Sequence, residues 1–215
     1  MKALPYLFLL LAPSLLSANP ADLNAWKVEG KVSVDTSKKH TGSAGAFKLE
    51  PGAKMLLPLR DAAGGGRVSI WVYDDGTKPP ESELKVRHVG PRWGVIQPDD
   101  RVLTGAVMYA PFLAGDGRVV LVDSDQKLWF NIQGDADRKP GWHEWVFDFD
   151  PATGLKMSVD GNPLRRFDWN KTKITGFSGL VLYGDTTEAK NPQTLWVDDI
   201  QVALGAEMQV QPSAT

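Results

Sequence analysis

Short apolar runs separated by glycine, proline and polar turns fill most of this chain. In many of these runs apolar and polar residues alternate, which is the period of a β-strand with one buried face. The 21 glycines and 15 prolines are spread along the sequence, and almost no segment has a helical period. Dense turns between short strands are typical of a sandwich or a barrel rather than of βαβ units.

The pattern predicts about a dozen strands, which is too many for one flat sheet, so two packed sheets are expected. The predicted strands are 26–34, 46–50, 54–59, 67–73, 81–89, 105–112, 118–122, 127–132, 142–149, 155–159, 177–183 and 194–204. Two hairpins are predicted, one joining 118–122 to 127–132 and one joining 142–149 to 155–159. Residues 91–94 are interpreted as a loop.

The first residues have the pattern of a targeting segment rather than of a folded element. Lys2 precedes an apolar run over residues 4–16, and small residues ending at Ala18 follow it. This is the three-part pattern of a secretory signal peptide, and Pro5 and Pro13 would break a membrane-spanning helix. We predict cleavage after Ala18, so that 1–18 is removed and the mature protein is secreted or periplasmic with no membrane span.

The remainder of the chain is predicted to be one β-sandwich domain, 19–205, followed by a flexible tail, 206–215. The chain has no cysteine, which excludes thiol catalysis and cysteine-ligated zinc and leaves packing to hold the core. The formal net charge is −2 and there is no basic block. Nucleic acid and anionic membranes are therefore poor partners, and a glycan or an extracellular or envelope protein is expected.

Several motifs carry a family resemblance. Residues 141–149 read Gly-Trp-His-Glu-Trp-Val-Phe-Asp-Phe, and 155–161 end in Val-Asp-Gly. This pair resembles the central hairpin of concanavalin A-like and laminin G-like domains. The closing segment 195–202, with its Asp-Asp-Ile, and the early segment 35–49 are similar to those of many carbohydrate-binding modules. The resemblance implies an all-β, two-sheet jelly-roll sandwich of the concanavalin A-like form, with a galactose-binding-like jelly roll as the alternative.

The resemblance also implies a possible metal site. Similar carbohydrate-binding modules often hold a structural calcium between the early turn and the closing strand. In this chain the site would involve Asp199 and backbone oxygens of residues 40–42, because carboxylate and carbonyl oxygens are the ligands that Ca²⁺ prefers. The aspartates are equally well interpreted as ordinary turn formers.

Catalysis has one candidate strand, residues 81–88. Glu81 and Glu83 share a face of it, as paired carboxylates of glycosidases do, but Lys85 and Arg87 share that face too. Such alternation is typical of solvated charge on an exposed strand. The Ser-Glu-Leu at 82–84 distantly resembles a strand of alginate-type polysaccharide lyases. If the chain is an enzyme, this resemblance makes Glu83, Arg87 and Tyr73 the candidate catalytic residues.

Strand alternation indicates a binding face instead. In 68–73 the aliphatic residues occupy alternate positions, which leaves Trp71 and Tyr73 on the opposite face. In 127–132 the same reasoning leaves Trp129 and Asn131 opposite the apolar set. An aromatic ring beside polar groups can cover the C–H face of a sugar while its neighbours bond the hydroxyls. These four residues, with Arg87, are the candidate ligand-binding residues, although a second small core under loops is an equal interpretation for the tryptophans.

The sequence therefore favours an exported, non-catalytic carbohydrate-binding or extracellular interaction domain. The alternative is a polysaccharide lyase or glycoside hydrolase acting on the concave sheet face. A structural envelope component is the third hypothesis, since this fold serves unrelated functions.

Overall fold

The computed structural model describes residues 15–18, 22–63, 65–77, 88–109, 117–122, 128–131, 139–163, 176–189 and 191–204. These residues form two antiparallel β-sheets packed as a sandwich, so the predicted fold class is confirmed. The strands are β1 Leu15–Ala18, β2 Lys27–Glu29, β3 Val32–Asp35, β4 Ala46–Leu49, β5 Lys54–Ala63, β6 Gly66–Asp74, β7 His88–Ile96, β8 Val102–Tyr109, β9 Gly117–Val122, β10 Leu128–Asn131, β11 Gly141–Asp150, β12 Gly154–Val159, β13 Asn162–Pro163, β14 Phe177–Tyr183 and β15 Leu195–Leu204. A short 3-10 helix spans Leu23–Ala25.

The two sheets differ in strand order. Sheet A runs β13-β12-β11-β6-β15-β4-β3, with β1 also beside β15, and sheet B runs β10-β9-β8-β7-β14-β5-β2. Both predicted hairpins are confirmed, since β9 pairs with β10 and β11 pairs with β12. Most other neighbours are far apart in sequence, and β6 lies between β11 and β15.

The core lies between the sheets and is made of alternate residues of each strand. In β6, Val68, Ile70 and Val72 are buried against it, while the residues between them face outward. Trp145 of sheet A is 1% exposed and meets Trp93 of sheet B edge to face, with ring centroids 5.1 Å apart. Gly105 makes room for this pair, because a Cβ there would lie 2.5 Å from the Trp145 ring.

The predicted single strand 26–34 is wrong, because it is two strands in different sheets. Gly30, between them, has φ +76°, a conformation that glycine adopts without strain. A Cβ at Gly30 would also lie 2.9 Å from the Cα of Ala53. The chain therefore leaves sheet B after β2 and enters sheet A with β3.

The interpretation of residues 91–94 as a loop is also wrong. They lie inside β7, the fourth strand of sheet B, which pairs with both β8 and β14. Pro91 is accommodated at a register shift between Val89 and Arg92, where a missing N–H costs no ladder hydrogen bond. Trp93 and Val95 then point into the core. Of the predicted strand 81–89, residues 81–87 lie outside the described residues.

At the N-terminus, β1 pairs with the far end of β15, with Leu15 opposite Ala203 and Ala18 opposite Ile200. Cleavage after Ala18, which would remove this strand, stays a prediction. Within the described ranges, no helix has the length and apolarity needed to cross a membrane. The predicted tail, 206–215, lies outside them.

Candidate functional site

The outer face of sheet A carries a row of aromatic residues. Trp142, Tyr73 and Trp196 occupy paired positions on β11, β6 and β15. Tyr73 meets Trp142 and Trp196 edge to face, with ring centroids 5.3 and 6.1 Å apart. Trp71 lies two residues before Tyr73 on the same face, so the predicted outward placement of Trp71 and Tyr73 is confirmed.

Residues 36–45, which we call the covering loop, lie over this aromatic row. The His40 ring is stacked on the Trp71 ring, with centroids 3.7 Å apart and an interplanar angle of 17°. Lys38 Nζ lies 3.9 Å from the centre of the Tyr73 ring. All four aromatic rings are only partly exposed. The loop thus uses ring faces of Trp71 and Tyr73 that a sugar would need.

Hydrogen bonds to the closing strand hold the covering loop. The His40 amide donates to Asp198 Oδ2 at 2.8 Å, and the Ser43 hydroxyl donates to the same oxygen. Asp198 Oδ1 accepts from the Asp199 amide at 2.8 Å. His40 Nδ1 lies 2.6 Å from Asp199 Oδ2, so that ring nitrogen carries the proton. The early turn and the closing strand therefore do meet, through direct hydrogen bonds.

This junction does not fit the calcium site that the resemblance implied. Calcium needs several oxygen ligands that present lone pairs, whereas the Asp198 and Asp199 carboxylates here face N–H and O–H donors. In the part of the chain that the structure describes, no group of three or more His, Cys, Asp or Glu could hold a metal ion.

The other polar groups of this face bond to one another. The Asp35 carboxylate accepts from the Ser37 hydroxyl at 2.6 Å and from Trp196 Nε1 at 3.1 Å. These hydrogen bonds, the Ser37 hydroxyl first, lower the pKa of Asp35 to about 2. Ser69 donates to Glu144 at 2.6 Å. Side-chain hydrogen bonds within this face therefore connect its polar groups to one another.

Trp129 and Asn131 lie in β10, the end strand of sheet B. They therefore belong to a different sheet from Trp71 and Tyr73, so these four candidate ligand-binding residues do not lie in one sheet. Alternation of apolar and polar residues shows which residues share one face of a strand, but it does not show to which sheet the strand belongs. Glu83 and Arg87 lie outside the described residues.

Sheet B has a cleft at one end of its outer face. Glu29, Lys54, Tyr183 and Arg92 occupy successive paired positions on β2, β5, β14 and β7. The cleft above this row has a volume of about 270 Å³. Its lining is Glu29, Gly52, Ala53, Lys54, Gly90, Arg92, Tyr183, Gly184, Asp185 and Thr186. The same register row continues through Ala106 and Val119 to Asn131.

Two cations flank the tyrosine of this cleft. The Arg92 guanidinium carbon lies 4.4 Å from the Tyr183 ring centre, and Lys54 Nζ lies 5.9 Å from it. Lys54 also lies 3.8 Å from Glu29, whose side chain is 73% exposed. Burial lowers the pKa of the Arg92 guanidinium below its ordinary value, with Tyr183 opposing that shift. Arg92 is thus a partly desolvated cation in contact with an aromatic ring.

The buried carboxylate of the cleft is committed to the backbone. Asp185 is 1% exposed, and its two oxygens accept from the amides of Thr186 at 2.7 Å and Gln193 at 2.8 Å. Asp185 therefore shapes the loop after β14. Gly184 is required beside it, because a Cβ there would lie 2.3 Å from the Glu50 carbonyl oxygen.

Arg92 and Tyr183 are not among the candidate residues predicted from the sequence. Arg92 was lost because Gly90, Pro91 and Gly94 suggest a loop, although Trp93 and Val95 alternate as in a strand. Tyr183 ends a strand that is largely apolar on both of its faces. Alternation of apolar and polar residues therefore does not indicate which way the Tyr183 side chain points.

Comparison with known proteins supports the fold. No family model and no curated protein sequence matches the chain. Among solved structures, a carbohydrate esterase from Shiga toxin-encoding bacteriophage phi24B superposes with a TM-score of 0.60 at 14% identity, covering 88% of this chain and 97% of that one. The cellulose induced protein Cip1 gives 0.58 at 13% identity, covering 85% and 92%.

A receptor binding domain of botulinum neurotoxin mosaic serotype C/D gives a TM-score of 0.51 at 14% identity. That match covers 86% of this chain but 43% of the toxin domain, so the chain spans less than half its length. At these identities the likeness shows the two-sheet sandwich and nothing finer.

Proposed function

We propose that this chain is an exported, non-catalytic carbohydrate-binding domain of the concanavalin A-like class, and that it binds sugar in the Arg92–Tyr183 cleft. The observation that carries the proposal is the cleft itself, an open space of about 270 Å³ beside a partly exposed tyrosine ring and two cations. Binding sites for small molecules begin at about this size, so the cleft suits one sugar ring of a longer glycan.

The chemistry of the lining suits a sugar. A tyrosine ring offers apolar area to the C–H groups of a pyranose, and its hydroxyl can exchange hydrogen bonds with those of the sugar. Arg92 and Lys54 supply donors, while the exposed Glu29 supplies acceptors. Gly52, Gly90 and Gly184 place backbone at the cleft wall, which lets a ligand approach the main chain closely.

The absence of catalysis is proposed from the carboxylates of the cleft. Glycoside hydrolysis uses two carboxyl groups placed as acid and base or nucleophile. Among the described lining residues, Asp185 is engaged by two amides and Glu29 is exposed beside Lys54. Neither has the environment of a general acid. The enzyme alternative would depend on Glu83 and Arg87, outside the described residues.

The test is a titration of the exported protein with a panel of oligosaccharides. We expect Tyr183→Ala to weaken binding roughly tenfold or more, which corresponds to about 1.4 kcal/mol. Tyr183→Phe, which keeps the ring, should stay within about threefold of the wild type. The matched control is Tyr73→Phe on the opposite sheet, which should leave the affinity unchanged.

Two results would overturn the proposal. One is equal binding by the wild type and Tyr183→Ala, with both folded by circular dichroism. The other is cleavage of a bound oligosaccharide, which chromatography of the incubated glycan would detect.

A further inference from the structure

Arg92 lines the cleft and has no anionic partner among the residues that the structure describes. Arg92 forms neither an ion pair nor a side-chain hydrogen bond with any described residue, and its guanidinium lies against the Tyr183 ring. Burial lowers the pKa of Arg92, and Tyr183 opposes that shift. Every other cleft charge with a described partner is paired within the chain, Lys54 with Glu29 and Asp185 with backbone amides.

A partly desolvated guanidinium is stabilised by acceptor atoms, and a ligand in the cleft can supply them. Removing a guanidinium from water costs free energy that an opposite charge or hydrogen-bond acceptors normally offset. Contact with an aromatic face recovers part of that cost and leaves the N–H edge of the guanidinium available. That edge is a planar fork whose spacing matches the two oxygens of a carboxylate or a sulfate group.

Arg92 lies beside the proposed sugar site. Arg92 and Tyr183 are paired neighbours on β7 and β14 and both line the cleft. A sugar ring against Tyr183 would thus place its substituents beside Arg92. Lys54, on the other side of Tyr183, adds a second cation to the same row. The lining also holds the carboxylates of Glu29 and Asp185, so the attraction for an anion comes from the placement of Arg92 and Lys54 on either side of Tyr183 and not from a net positive charge of the cleft.

We infer that the cleft selects acidic glycans, with Arg92 binding a singly charged oxyanion on the sugar, either a carboxylate of a uronic acid or a sulfate ester. The inference rests on the proposed function, because it names the class of sugar that the same cleft takes. Arg92 acts here as a specificity residue, and no bond is made or broken.

The experiment compares three oligosaccharides of matched length by calorimetry: a galacturonate, a sulfated galactan and a neutral galactan. The wild type should bind one charged ligand roughly tenfold more tightly than the neutral one. Arg92→Gln should erase that preference, because it should lower the affinity for the charged ligand roughly tenfold more than the affinity for the neutral one. The control, Arg67→Gln, removes the same charge from the opposite sheet, where Arg67 lies 3.9 Å from Asp148, and should retain the preference.

Each outcome is decisive. Preference for the uronate or for the sulfate identifies the oxyanion. Equal wild-type affinities for charged and neutral ligands overturn the inference and leave sugar binding standing. Binding of none of the three, nor of the wider panel, overturns both. If Arg92→Gln is folded but weakens all three ligands equally, Arg92 is a general hydroxyl donor and the inference is wrong.

The variant Arg92→Lys covers the case in which Arg92→Gln does not fold. It keeps the charge and loses the planar fork of N–H donors. The affinity for the charged ligand should therefore fall several-fold, by about 1 kcal/mol, and still exceed the affinity for the neutral ligand. An unchanged preference in Arg92→Lys would contradict recognition through the fork.

Discussion

The imidazole of His40 lies parallel to the indole of Trp71, with ring centroids 3.7 Å apart, while its Nδ1 lies 2.6 Å from the Asp199 carboxylate. His40 thereby joins the covering loop to two strands of sheet A at once. The tryptophan on the outer face is consequently an anchor for the chain, and the second-core interpretation of Trp71 describes it better than a sugar platform does.

Trp71→Ala should lower the free energy of unfolding by about 2 kcal/mol and leave glycan affinity unchanged. The loss comes from the half-buried ring and its stacking on His40. Chemical denaturation measures the first quantity, and titration with the best glycan of the panel measures the second. A variant that keeps its stability but loses glycan binding would move the site to sheet A.

Asp35 should make stability depend on pH in the acid range. Its pKa is about 2 in the folded protein against an ordinary value of 3.8, so it binds fewer protons folded than unfolded. Its contribution is fully present above the ordinary value and is lost as the pH falls toward about 2. In Asp35→Asn, the drop in unfolding free energy between about pH 5 and about pH 2 should be smaller than in the wild type.

Asp22→Asn is the control for that measurement. It removes the same charge at an exposed residue whose side chain caps no helix end. If the unfolding free energies of Asp35→Asn and Asp22→Asn show the same pH dependence, the role of Asp35 is wrong.

Calcium should not affect the thermal midpoint of this domain. The Asp198 and Asp199 carboxylates are engaged by donors from the covering loop, and a cation would have to displace those hydrogen bonds. Melting curves in excess EDTA and in excess calcium are expected to coincide. A calcium-dependent rise of the thermal midpoint that Asp199→Asn abolishes would show that calcium binds at this junction.

The hairpins and most strands could be predicted because their signals are local. The alternation of Val68, Ile70 and Val72, and the turn residues before Gly154, each specify structure within about ten residues. Sheet membership depends on pairing between distant segments, such as Trp196 of β15 with Tyr73 of β6. No local pattern encodes such a pair, so alternation could not show that Trp71 and Trp129 lie in different sheets.

The cleft could not be predicted from the sequence for a related reason. Arg92 and Tyr183 are 91 positions apart in numbering and meet only because β7 and β14 are neighbours. The register shift that lets Pro91 sit in β7 depends on both partner strands. A proline between glycines predicts a turn in isolation, and only the pairing of the sheet overrides that preference.

Export makes a prediction at the N-terminus. If 1–18 is a signal peptide, protein recovered from the periplasm or medium should begin at Asn19, because Ala18 ends the small-residue segment that the peptidase recognises. Intact-mass measurement of the exported protein tests this. Such protein would also lack β1, so that Ile200–Ala203 would lose one neighbouring strand. Exported protein that retains Met1 would contradict cleavage.

Amide NMR spectra recorded during titration with the best-binding oligosaccharide would locate the ligand on the protein surface. We expect the amide signals of Gly90, Arg92, Gly184 and Thr186 to shift progressively, while those of His40 and Trp71 stay in place. Shifts confined to His40, Trp71 and Tyr73 on sheet A would contradict it.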